Sequence, residues 1–314
     1  MTNGKFKTGS LKAGAATIIS LILLILTLWF GIYLSGEIAA YVKDGMLLAV
    51  GCVIPSSFPF MLISDAYVAY GRPERIRPLG RIFTALFGLD PRALSAFICG
   101  NVGGFPIGAK MAADMYLENE ISREDAERLA ALSNNPSSAF VIGGVGLGIY
   151  GDADVGIMLL LSVYIATVLS GIVTRRNRAF SRIQSDNNRQ NYSFVESTKR
   201  AGLTSVSIIS FISVFSVALG LIKKRVKYAP VLYVILAFSE VTNAVKSFSV
   251  LASDEPFLTL VLSAFSLGFG GISVGMQSSV FTSGAGLRMR KYYAIKLLEG
   301  VLAAAVFSLI YSTK

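Results

Sequence analysis

GGFPIGAK (Gly103 to Lys110) and GGISVGMQ (Gly270 to Gln277) share one frame, with glycine at positions 1, 2 and 6 of each. A double glycine disfavours a helix, and Pro106 in the first copy has no N–H to donate, so each frame breaks the chain and frees backbone polar groups. Both lie in strongly apolar surroundings. In hydrocarbon, non-helical backbone is tolerated where it is buried in protein or lines a cavity, so the pair predicts broken membrane helices. Small residues also let helices pack closely, which is the plain reading of a single GxxxG. Recurrence of the whole frame favours a built feature.

Composition supplies the solvent. Of 314 residues 53% are hydrophobic and 15% charged, and the mean hydropathy is +0.61. A soluble domain carries more charge, and these values predict an all-α polytopic membrane protein. The first span is Ala13 to Leu34, uncleaved, with Lys5, Lys7 and Lys12 before it. Further spans are expected at Gly45–Tyr70, Pro136–Tyr150, Val155–Val173, Gly202–Ile222, Ala229–Val250, Phe257–Phe269 and Tyr292–Tyr311. Several are interrupted: by Pro55, Ser56, Ser57 and Pro59, by the two frames, and by Ser133-Asn134-Asn135-Pro136-Ser137-Ser138. Interrupted spans in corresponding places of two halves point to a transport site near the bilayer midplane.

The halves are residues 1–176, with one additional span, and 201–314, joined by a polar linker at 177–200. In each a plain span precedes an interrupted span, then a frame, then an amphipathic stretch feeding a last span. Ala126-Glu127-Arg128-Leu129 falls over Ala294-Ile295-Lys296-Leu297 with a short offset. The net charge of +10 sits largely in loops such as 72–81 and 175–200, where it sets orientation rather than binding nucleic acid. Yet Lys223, Lys224, Arg225 and Lys227 lie across the span Gly202–Ile222 from the basic linker, so both cannot be inside; inverted and parallel repeats each remain open. Ser122 and Asp125 resemble a capping box for a charged helix, Arg123 to Leu132, expected at the membrane interface.

GNVGGFPIGAKMAADMY (Gly100 to Tyr116), SNNPSSAFVIGGVGLG (Ser133 to Gly148), FSEVTNA (Phe238 to Ala244) and GFGGISVGMQSS (Gly268 to Ser279) resemble the nucleoside recognition, or Gate, domain family and within it its sporulation membrane proteins. The likeness runs from about Gly45 to the C-terminus and is more specific in the first half. It implies re-entrant hairpin-like frames and broken helices similar to those of concentrative nucleoside transporters. It further implies a place in the cell membrane or outer forespore membrane of a spore-forming bacterium, with dipicolinic acid moved from the mother cell toward the spore. Gate-like domains serve unrelated cargo, so the family does not fix the substrate. A nucleoside or other metabolite carrier, and a non-transporting assembly factor of the spore envelope, stay open. A homo-oligomer is compatible with either.

A small aromatic dianion needs donors and positive potential without an unpaired buried charge. Helix N-termini after Gly104 and Gly271 offer N–H groups that aim at carboxylates, and Gly103, Gly108 and Gly270 belong to the same expected substrate-binding set. Lys110 is the cation of the first frame, or a lysine snorkelling to the interface; its counterpart Gln277 is neutral. Asn101, Asn134, Asn135, Ser137 and Ser138, with Gln277, Ser278 and Ser279, complete the expected substrate-binding set; a helix cap and turn is the plainer role for the Asn-Ser cluster. Glu240, with Thr242 and Asn243 beside it, is an ionisable group in an apolar run, expected to couple an ion or to pair with Lys110 or Lys246. Asp65 and Asp114 are weaker candidates of the same kind. The chain has no His, and its two cysteines, Cys52 and Cys99, sit in apolar segments. That excludes the usual zinc and Ser-His-Asp constellations, and neither an enzyme nor a cofactor is expected.

Overall fold

The computed structural model describes residues 5–70, 77–176, 193–251 and 255–313. Those residues form helices and connecting turns with no strand. In chain order they are α1 (Lys5–Tyr33), α2 (Ser35–Leu48), a π-helical turn (Ala49–Val53), α3 (Ile54–Tyr70), α4 (Arg77–Phe87), α5 (Leu94–Gly103), α6 (Ile107–Leu117) and α7 (Arg123–Leu132). A second π-helical segment (Phe140–Tyr150), α8 (Ala153–Val173), α9 (Phe194–Arg225), α10 (Ala229–Ser239), α11 (Val241–Leu251), α12 (Pro256–Phe269), α13 (Gly271–Gly284) and α14 (Met289–Ser312) follow.

Length and apolarity let four helical runs cross a bilayer: Ala153–Val173, Phe194–Arg225, Pro256–Gly284 and Met289–Ser312. Two bent pairs raise the number to six, Thr17–Tyr33 with Ser35–Val53 at 76° and Pro78–Phe87 with Pro91–Gly103 at 100°. The all-α, multi-span expectation is met. Along α1 the large apolar side chains from Ile18 to Tyr33 are exposed, which is costly in water and natural against lipid. Elsewhere α8, α12 and α14 pack together, α2 and α3 lie on α9, and α5, α6 and α7 pack in sequence. One core joins α3 to α7 with α9, and a second joins the π-helical Phe140–Tyr150 with α8, α11, α12 and α14.

Three sequence expectations change in detail. The polar linker is shorter than 177–200, because Ser193 caps α9 by accepting from the Glu196 N–H, and Phe194 to Arg200 are helical. Residues 177–192 and 71–76 lie outside the described residues. The helix α7 does not lie at an open interface: it is capped by Ser122 as expected, but Ala126 to Leu132 are buried against α6 and α14. Inside that contact Arg128 donates to the Phe87 carbonyl at 2.7 Å, and Glu127 takes Lys291 at 3.0 Å and the Arg288 N–H at 3.1 Å. The two frames also differ: the first turns α5 back onto α6, whereas α12 and α13 together form one 29-residue candidate span. Finally, α9 runs unbroken for 32 residues, about 48 Å at 1.5 Å per residue, so the basic clusters at its ends lie far apart.

Candidate functional site

The site begins with two glycines, one at the second position of each frame. Gly104 follows α5 with φ +84° and ψ −179°, a conformation essentially confined to glycine. A Cβ there would lie 2.9 Å from the Ser137 nitrogen. Gly271 opens α13 with φ +79°, and its Cβ would lie 2.8 Å from the Ser239 carbonyl oxygen. Each frame therefore presses bare backbone against another break: the Asn-Pro-Ser loop ahead of the π-helical segment, and the Glu240 interruption between α10 and α11.

Residues of these four segments surround a small cavity. Gly104, Phe105, Ser137, Glu240, Thr242 and Gln277 line it, and Val53, Ser57 and Val274 are among the remaining walls. Its volume is about 30 Å³, roughly the share of one water molecule. Ser57 turns its hydroxyl back to the Val53 carbonyl at 2.6 Å, occupying an acceptor where the π-helical turn meets α3. Glu240 is buried, and its carboxylate accepts from the Thr242 N–H at 3.0 Å, the Asn243 N–H at 2.7 Å and the Asn243 side-chain amide at 2.9 Å. Those N–H groups open α11, so a helix N-terminus holds the charge. No lysine pairs with Glu240 among the described residues; the ion pair expected with Lys110 or Lys246 does not form.

The remaining polar residues make a second layer. Asn135 donates to Asn101 Oδ1 at 2.9 Å and to Thr167 at 3.0 Å, and accepts from Lys296 Nζ at 2.7 Å. Lys296 also pairs with Glu299, both with no exposed side-chain surface. Asn134 donates to Ser278 at 2.9 Å and to Tyr292 at 2.8 Å. Ser138 meets the Tyr164 hydroxyl at 2.9 Å, which donates to the Asn101 carbonyl at 3.0 Å. The loop after α7 is thus tied to α5, α8, α13 and α14. Asn134 Oδ1 and Glu299 Oε1 are buried without a partner, leaving two acceptors inside this network unanswered.

The expected residues therefore divide. Gly104, Ser137, Gln277, Glu240 and Thr242 reach the cavity, while Asn101, Asn134, Asn135, Ser138 and Ser278 belong to the network behind it. Asn243 holds Glu240 from the side. Gly103 is the buried last residue of α5, and Gly270 has φ +81° with its Cβ position 3.5 Å from Phe105. Gly108 serves packing, since a Cβ there would lie 2.0 Å from the Ser133 carbonyl oxygen. Lys110 is not among the cavity residues; it pairs with Asp114 at 2.8 Å on a partly exposed face of α6. Ser279 turns to its own helix, donating to the Met276 carbonyl at 2.7 Å, and Asp65 pairs with Arg200 at 2.9 Å. Sequence reasoning passed over Lys296 and Glu299 as site residues, although two charges three residues apart inside a predicted span were the available signal.

Comparison with known proteins adds a relative. The chain is 23% identical over 325 aligned positions to the sporulation integral membrane protein YlbJ of Bacillus subtilis (strain 168), covering 86% of this chain and 76% of the relative. This is a multi-pass integral membrane protein related to a sporulation membrane protein. No family model matches it, and no solved structure matches it.

Proposed function

We propose that this chain carries a small ring-shaped dicarboxylate, dipicolinate, across a membrane of a sporulating cell. The observation that supports it most is that residues of both glycine frames and of two further helix breaks surround one small cavity, mostly apolar, with Ser57, Ser137, Glu240, Thr242 and Gln277 as its polar groups. Irregular backbone at the centre of a membrane fold is otherwise a cost. The sporulation context comes from the related protein's name. On this reading residues 1–176 and 201–314 are two halves that rock against each other. On the same reading the arrangement described is the closed one, since a cavity of about 30 Å³ does not seat a substituted ring. Opening it separates Gly104 and Ser137 from Glu240, Thr242 and Gln277. Nothing in this scheme breaks or makes a covalent bond, so the chain acts as a carrier rather than an enzyme.

Glu240 shapes the chemistry. A carboxylate beside a dianion repels it, so a proton or a monovalent cation taken up at Glu240 accompanies the cargo. The same carboxylate favours a second reading. A cavity lined by Glu240, Gln277, Ser137 and Thr242, with no cation among its lining residues, also suits a neutral hydroxylated ring such as a nucleoside.

The test is flux of labelled dipicolinate into proteoliposomes of purified protein, with uridine in parallel. Saturable dipicolinate flux is expected. Uridine flux alone would establish the second reading. Flux of neither, from protein shown to be folded, would overturn transport and leave an assembly role.

A further inference from the structure

Between α2, α9 and α11 lies a second, larger cavity of about 470 Å³. Lys223, Lys224 and Lys246 stand on its wall, with Ser216, Asn243 and Ser247 among its other lining groups. Lys224 is neutralised by Glu37 at 2.8 Å. Lys223 and Lys246 form no ion pair among the described residues, and Asp44 is the acidic residue that lines the same space. Lysines at a membrane edge ordinarily extend toward headgroups. Lys223 instead turns inward, donating to Ser247 at 2.5 Å, and Ser247 is buried and donates in turn to the Asn243 carbonyl. Two cations above a floor of hydroxyls and an amide form a recognition surface for an anion with two separated charges.

The floor connects to the central cavity. Asn243 exchanges hydrogen bonds with Ser216 at 2.9 Å on the vestibule side and donates to Glu240 at 2.9 Å on the cavity side. Ser216 and Asn243 line the vestibule, whereas Glu240 lines the central space.

We infer that this vestibule is an anion-binding site for small soluble dicarboxylates, with one carboxylate at Lys223 and the other at Lys246, separated from the central cavity by the Asn243 side chain. The site deepens the carrier reading, resting on it for the identity of the cargo, and stands on its own as a binding site. Lys223 and the exposed Lys246 line the same space, and a dianion entering it relieves their like charge. Asp44 opposes that gain, which keeps binding weak enough for release.

The experiment measures dipicolinate binding to the purified full chain in lipid-free detergent by calorimetry, with benzoate as the single-carboxylate control. Amine labelling, read by mass spectrometry at each lysine, reports the location. Dipicolinate is expected to bind more tightly than benzoate and to slow labelling at Lys223 and Lys246 but not at Lys291. The double variant Lys223→Gln/Lys246→Gln is expected to weaken dipicolinate by at least about tenfold, and Lys223→Arg/Lys246→Arg to retain most of it. Unchanged affinity in the Gln variant, or no binding by the wild type, would overturn the site. Protection by phosphatidylglycerol and not by dipicolinate would overturn it too, assigning the lysines to headgroups. Binding that follows the prediction without any flux in proteoliposomes would sink the carrier reading and leave the vestibule standing.

Discussion

The two glycine frames share a spelling and one structural act, and differ in the rest. At the second position both place a positive-φ glycine against a helix break, Gly104 on Ser137 and Gly271 on Ser239. At the sixth position both lack room for a side chain, but Gly108 abuts the Ser133 carbonyl of the loop after α7, whereas Gly275 abuts the ring of Tyr293. The first frame closes a hairpin backed by a charged network through Asn135, Lys296 and Glu299; the second lies within a candidate span, and Ser278 just after it meets the Asn134 amide and the Tyr292 hydroxyl. One motif thus marks where backbone must be bare. It does not say what the neighbouring helix does.

The network behind the first frame gives the largest expected effect. Lys296→Met removes the donor that answers both Asn135 and Glu299, leaving a buried carboxylate alone, and should cost about 3–5 kcal/mol in detergent unfolding. The double variant Lys296→Met/Glu299→Leu should recover much of that loss; if the single change were harmless, the two frames would not differ in their support. Next comes a contrast between glycines. Gly108→Ala meets a backbone oxygen that cannot rotate away, at a cost of about 3 kcal/mol. Gly270→Ala has space at 3.5 Å and suffers only its φ of +81°, a cost of about 1–2 kcal/mol. Equal thermal shifts for the two would show that the close backbone contact at Gly108 is not what requires glycine there.

A smaller effect concerns the contact between α7 and the start of α14. Burial works against the Glu127 carboxylate, yet Lys291, the Arg288 N–H and Arg123 outweigh it and hold the carboxyl below its ordinary value of 4.5. A lowered folded-state value means this stabilisation is whole above the unfolded value and is lost as pH falls through the folded one. Stability measured from pH 7 down to pH 3 should therefore fall less steeply below about pH 4.5 in Glu127→Gln than in the wild type. Parallel curves would show that Glu127 does not tie α7 to α14.

Much of the fold was legible because hydrophobic runs and breakers act locally: α8 and α14 start and stop within three residues of the expected spans. Glu240 announced itself as a charge in an apolar run, and Gly104 and Gly271 as doubled glycines. What stayed hidden depends on residues far apart in the chain. Thr167 and Tyr292 become polar partners of the Asn-Asn pair only when α8 and α14 fold against the loop after α7. Lys110 looked like the natural cation of the first frame, but the helical spacing to Asp114 gave it a nearer partner. The vestibule escaped notice because Lys223 of α9 and Lys246 of α11 line one space that sequence order does not assemble.

The central claim is that the cavity between the frames carries the cargo. The most direct test compares dipicolinate flux in proteoliposomes for the wild type, Ser137→Ala and Gln277→Ala, each matched for folded protein. Ser137 lines the cavity from the loop after α7 and Gln277 from the second frame, and neither forms any of the ion pairs. The account predicts saturable flux in the wild type that drops at least about tenfold in Gln277→Ala and measurably in Ser137→Ala. Flux unchanged in both variants would contradict it and move the path elsewhere in the fold.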